Sequence, residues 1–131
     1  MVQDIQAKLK EIENIYGISE YLNGFFLSYD IPRATLVRLG LNESIPADKE
    51  IIIGNKLFCT YTTAENLYAK YDYIQRMTVK NNKYRFVMLI NDKEILALDT
   101  NNGEWLSVAR NNIHTEFEFF LPLVGIERTI I

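Results

Sequence analysis

The residues of this chain whose types could do chemistry are His114, Cys59 and four clustered acids, Asp92, Glu94, Asp99 and Glu104. His114 is the one histidine, and no HExxH-like spacing surrounds it. A metal site built on it would need carboxylates for every other ligand, so no metal is expected. With Cys59 it could form a nucleophile–base dyad oriented by Asn111 or Asn112. No sequence-local pattern joins the two, and Cys59 stands on an apolar row of a strand, where cysteine packs as a small hydrophobe. Both are therefore expected to be dispensable for function. Two of the acids at close approach could do general acid–base work. At hairpin tips the same acids serve instead as solubilising or partner-contacting charge. The six glycines are scattered, with no GxGxxG, GxxxxGK[ST] or GxSxG spacing. No catalytic residue and no cofactor are expected, and Asp92, Glu94, Asp99 and Glu104 are the candidates for binding a partner.

A second cluster is basic. Lys70, Arg76, Lys80, Lys83 and Arg85 stand against Asp72 alone, with Tyr61, Tyr68, Tyr71, Tyr73 and Tyr84 among and around them. Aromatic and basic residues interleaved in this way could stack nucleic-acid bases. The whole chain, however, has 14 Lys and Arg against 17 Asp and Glu. That balance lacks the basic face that displaces counterions from a phosphate backbone. Nucleic acid is not an expected partner, and the cluster reads as a solvated strand face.

The elements that position these residues can be read from periodicity. Val2, Ile5, Leu9, Ile12 and Tyr16 form one stripe of an amphipathic helix that Gly17 would end. Tyr21 to Tyr29 is open between helix and strand, because Asn23-Gly24 weakens a helix. Pro32 fits the first turn of a short helix from Arg33 to Leu39, stopped by Gly40. Glu50 to Ile53, a Gly54-Asn55 turn and Lys56 to Thr62 form a hairpin. Thr63 to Lys70 reads as a helical turn and Tyr71 to Val79 as a strand. Three strands follow: Tyr84 to Ile90, apolar enough to be buried on both faces, then Glu94 to Leu98, then Glu104 to Ala109. Thr100-Asn101-Asn102-Gly103 is a strong hairpin turn. Trp105 is expected at the core or its edge, covering a closing helix whose stripe is Ile113, Phe117, Phe120, Leu121 and Val124.

A length of 131 residues suggests one domain, 1–131. The expected class is α+β: an antiparallel sheet of about five to six strands with N-terminal and C-terminal helices packed on it. The N-terminus interleaves acids with its apolar residues, unlike a signal peptide. The longest strongly apolar run, Phe86 to Ile90, is far short of the roughly 20 residues that span a bilayer. A soluble cytoplasmic protein without membrane contact is expected.

The closing third resembles the SUKH superfamily of immunity proteins, on the branch similar to the fourth SUKH group. The matching pieces are Leu89-Ile90-Asn91-Asp92, Ile95-Leu96-Ala97-Leu98-Asp99 and Asn102-Gly103-Glu104-Trp105. They continue as Asn111-Asn112-Ile113-His114 and Phe117-Glu118-Phe119-Phe120-Leu121. Upstream, Phe25-Phe26-Leu27-Ser28-Tyr29-Asp30-Ile31-Pro32 is similar to an early segment of the same branch. The chain departs at Asn91, where glycine is usual, and residues 62–83 do not align. The resemblance implies a non-catalytic protein-binding module that neutralises a cognate toxin, often a nuclease or deaminase. A basic toxin is then the expected partner. The alternatives are a phage- or plasmid-encoded regulator or adaptor, and a small enzyme using His114 with Cys59.

Overall fold

The computed structural model describes residues 2–70, 72, 75–76 and 84–127. The class is α+β, as the sequence indicates: a five-stranded sheet in the middle of the chain with helices at both ends. Two compact units make it up, Met1–Ile45 with Arg110–Ile131, and Pro46–Ala109.

The first unit holds α1 (Val2–Ile12), α2 (Ile18–Ser28), α3 (Arg33–Arg38) and a C-terminal 3-10 run (Arg110–Val124). Ile5, Leu9 and Ile12 of the α1 stripe are buried, whereas Tyr16 is 79% exposed beyond the helix end. Gly17 is the N-cap of α2, not the C-cap of α1. The Tyr21–Tyr29 ambiguity resolves as helix, because α2 buries Tyr21, Leu22, Phe25 and Phe26 at helical spacing. Gly24 is tolerated there for a packing reason: a Cβ at this position would overlap Cγ2 of Ile12, so α1 and α2 meet at the glycine. Phe25 and Phe120 pack edge-to-face, 5.1 Å between centroids at 88°. Tyr21 Oη donates to the Arg110 carbonyl at 2.7 Å and Tyr29 Oη to the Phe117 carbonyl at 2.8 Å. Tyr21 of α2 and Tyr29, its C-cap, thus tie down the C-terminal run.

That run is not the regular helix its stripe predicts. It is a succession of 3-10 turns, broken at Asn112 (φ −133°) and Glu116 (φ −115°), and it contains Pro122. Proline removes a backbone donor, and 3-10 turns place i and i+3 on one line. Ile113, Phe119, Phe120, Leu121 and Leu123 are buried, while Phe117 and Val124 are half-buried.

The second unit is the sheet: β1 (Glu50–Ile53), β2 (Leu57–Tyr61), β3 (Phe86–Ile90), β4 (Glu94–Asp99) and β5 (Glu104–Ala109), in that spatial order. The expectation of a wholly antiparallel sheet is corrected at one junction. β2 and β3 are parallel, Leu57 opposite Phe86 through Tyr61 opposite Ile90. Parallel neighbours need a crossover of about a dozen residues or more, and residues 62–85 supply it. Within the crossover lies a 3-10 turn, Leu67–Lys70. Asp72, Gln75 and Arg76 are helical where a strand from Tyr71 to Val79 was expected; the rest of that stretch lies outside the described residues.

β3 is buried on both faces, as its composition predicts. On one face Phe58, Val87, Leu89, Leu96 and Leu98 join Leu67 and Tyr84 in a core cluster. Trp105 corrects the sequence reading. β5 alternates, with Leu106 and Val108 buried and Trp105 on the other side, 36% exposed. An edge strand buries only one of its faces, and the tryptophan falls on the open one.

Gly24→Ala should destabilise the protein by about 1–3 kcal/mol through overpacking. It should do so although alanine is the better helix former by roughly 1 kcal/mol. Urea unfolding of Gly24→Ala, Ile12→Ala and the double variant checks this. The cycle should return a coupling energy of about 1 kcal/mol or more. Independent, additive effects would mean that the two side chains do not meet.

Candidate functional site

The four candidate acids separate into two kinds. Asp99 is fully buried and is not on the surface at all. Arg85 grips it with Nε to Oδ1 at 2.8 Å and Nη2 to Oδ2 at 3.1 Å. Asp99 Oδ1 also accepts the Asn101 amide at 3.0 Å. Its role is internal, which corrects its place among the partner-binding candidates. Asp92 is exposed, and Tyr61 Oη donates to its Oδ1 at 3.3 Å. Glu94 and Glu104 are half-buried. Asp92 and Glu94 stand at one end of β4 and Glu104 opposite its other end, across from Asp99.

The turn that carries Asp92 is organised by Asn91, which is buried. Its Oδ1 accepts the amides of Lys93 at 2.9 Å and Glu94 at 2.7 Å. Its Nδ2 donates to the carbonyls of Ala64 at 2.9 Å and Glu65 at 3.3 Å. One side chain therefore closes the hairpin and holds the start of the crossover, work that a glycine could not do.

Cys59 is fully buried in β2, and burial pushes its thiol well above the usual range. It is a packed hydrophobe without thiolate character. His114 is part-buried, with Nδ1 against Glu13 Oε1. Its carbonyl accepts from Gln6 Nε2 at 3.4 Å. The histidine thus ties the C-terminal run to the end of α1. Arg110 does the same more deeply: Nη2 donates to the carbonyls of Ile15 at 2.9 Å and Tyr16 at 3.0 Å. Its guanidinium also lies 4.4 Å from the centroid of the Tyr21 ring. Burial raises the phenols of Tyr21 and Tyr29, which therefore stay neutral donors. None of this was legible in sequence, where Tyr21, Tyr29 and Arg110 carry no motif.

Of the basic cluster, Arg85 is consumed by Asp99, Lys70 is half-buried and Arg76 is exposed; Lys80 and Lys83 lie outside the described residues. Among the described residues, no group of three or more His, Cys, Asp and Glu could hold a metal ion. No described helix is long and apolar enough to cross a membrane. A cleft lies beside β2. Its lining includes Asp48, Thr60, Thr62, Lys70 and Leu89.

No protein-family model and no solved structure matches the chain. It is 30% identical over 128 residues to DNA methyltransferase A of Bacillus subtilis (strain 168). The alignment covers 95% of this chain but only 15% of that protein's length.

Asp99→Asn should lower stability by about 3 kcal/mol, because it leaves the Arg85 guanidinium without its buried counter-charge. Asp92→Asn and Glu94→Gln should each change it by less than about 0.5 kcal/mol. Denaturant unfolding separates the two classes. Equal effects would place these three acids in one environment.

Proposed function

We propose that this chain is a non-catalytic binding module of a DNA-modification system, one that acts by contact with the body of a methyltransferase. The match to DNA methyltransferase A carries the reading. It runs through nearly the whole of this chain and both of its units, yet through a small part of the relative. What the two share is a segment that makes up a small part of that much longer protein. The side chains here that could do covalent chemistry have structural work: Cys59 is packed, Asp99 holds Arg85, and His114 holds Glu13. The sequence has no glycine-rich strand-to-helix turn of the kind that cradles a nucleotide cofactor. An adaptor role, one of the readings open from sequence, is the form this proposal takes.

The test is a chimera. The matching segment of the Bacillus enzyme is replaced by this chain, and methyl transfer to DNA is measured with a radiolabelled donor. The isolated chain should transfer no methyl groups. The folded chimera should keep transfer within about tenfold of the parent, a loss of no more than 1.4 kcal/mol. Transfer by the isolated chain, or a folded chimera without activity, overturns the reading.

A second reading, an immunity protein that binds a basic toxin, is favoured by the outward acids at the ends of β4. Asp92 is exposed, and Glu94 and Glu104 are half-exposed. Complementary charge mainly raises association rates, and salt screens it. Asp92→Lys with Glu94→Lys should slow association with the toxin at low salt while leaving the melting temperature nearly unchanged. A rate indifferent to both salt and charge reversal rules out this surface.

A further inference from the structure

The cleft beside β2 has no part in either reading above, yet it has the composition of a small-molecule site. Its volume is about 200 Å³. That is below the roughly 300–1,000 Å³ of pockets for drug-sized ligands, so it suits a molecule of only a few heavy atoms. Leu89 of β3 gives it an apolar wall, and a carboxylate (Asp48) and an ammonium (Lys70) both line it. Among the described residues neither charge makes an ion pair or hydrogen bond with the other or with any further group. Opposite charges that line one cleft without pairing present both signs to whatever enters.

The two threonines reinforce that polarity. Thr60 and Thr62 lie two positions apart on one side of the β2 line, about 7 Å along an extended chain. Thr60 Oγ1 spends its proton on the carbonyl of Lys49, next to Asp48, at 3.0 Å. Its remaining capacity is as an acceptor. Thr62 Oγ1 accepts the amide of Ala64 at 3.2 Å, at the start of the segment that leads to Lys70. Its proton remains to be donated. An acceptor hydroxyl with a carboxylate suits a cation, and a donor hydroxyl with an ammonium suits an anion. Asp48 is held in the left-handed region at φ +67°, and its amide donates to the Tyr61 carbonyl at 2.7 Å. Such a conformation is uncommon for a residue other than glycine, and it clusters at ligand sites.

We propose that this cleft binds a small zwitterion of the amino-acid class, its ammonium toward Asp48 and Thr60 and its carboxylate toward Lys70 and Thr62. The probes are glycine, β-alanine and L-serine, with acetate and methylammonium as single-charge controls. Binding is followed on the full chain by amide chemical-shift changes in two-dimensional NMR. At least one zwitterion should give saturable shifts at Thr60, Thr62 and Lys70 with a dissociation constant of about 1 mM or tighter. Acetate and methylammonium should bind at least about tenfold more weakly, as should the Asp48→Asn and Lys70→Met variants. Asp48 is exposed and Lys70 half-buried, and asparagine tolerates the left-handed conformation. Unshifted resonances elsewhere in the spectrum confirm the fold of each variant. No saturable shift with any zwitterion overturns the proposal. So does an equal response to acetate, which would make the cleft a plain anion site, or binding unchanged in both variants.

Discussion

The register of β3 is the constraint on which the sheet depends, and two polar clamps set it. At the start of the strand, Arg85 holds the buried Asp99 at the end of β4, and Thr100 Oγ1 donates to the carbonyls of Tyr84 at 2.6 Å and Arg85 at 3.0 Å. The amides of Arg85 and Phe86 reach the carbonyls of Asn55 and Lys56 on the tip of the β1–β2 hairpin. At the far end, Asn91 closes the β3–β4 turn and holds the crossover at Ala64 and Glu65. β3 is buried on both faces, so hydrophobicity alone would hardly oppose a one-residue slip. The clamps do oppose it, since a slip would strand a carboxylate, a guanidinium and an amide in the interior. They also explain how β3 runs parallel to one neighbour and antiparallel to the other without ambiguity.

The helical unit relies on the same economy. Its aromatic core of Phe25, Phe26, Tyr29 and Phe120 has bulk but little directionality. Directionality comes from Tyr21, Tyr29 and Arg110, which donate hydrogen bonds to backbone carbonyls. A 3-10 run leaves its backbone groups less well satisfied than an α-helix does, so carbonyls that accept from buried side chains stabilise that irregular backbone. The departure from the 3.6-residue stripe is thus supported locally.

Much of this was legible in the sequence because it is local. The bounds of β1 to β5 follow from alternation and turn residues, and the double burial of β3 from its uninterrupted apolar run. What escaped was decided at long range. Nothing local distinguishes a parallel from an antiparallel pairing of β2 with β3, because the crossover determines it. Trp105 sits on an alternating strand with two possible faces, and its size suggested the wrong one. Asp99 looks like any hairpin acid until Arg85, fourteen positions earlier, is seen beside it. Asp48 gave no signal, because a positive φ at a non-glycine residue has no composition of its own.

The placement of the acids reshapes the charge argument. With Asp99 neutralised inside the sheet, the outward field of this hairpin comes from Asp92, Glu94 and Glu104, partly offset by Lys93, which is also exposed. A partner drawn by such a surface would gain more in encounter rate than in residence time, because screened rim charges contribute little once contact is made. Residence needs desolvated apolar area. Trp105, at the edge of the sheet, follows Glu104 and stands opposite Leu98 of β4. An aromatic anchor beside acids that steer is the division of labour that protein-contact surfaces commonly show. Cys59 and His114 take no part in that surface, since the first is buried in β2 and the second is tethered to Glu13.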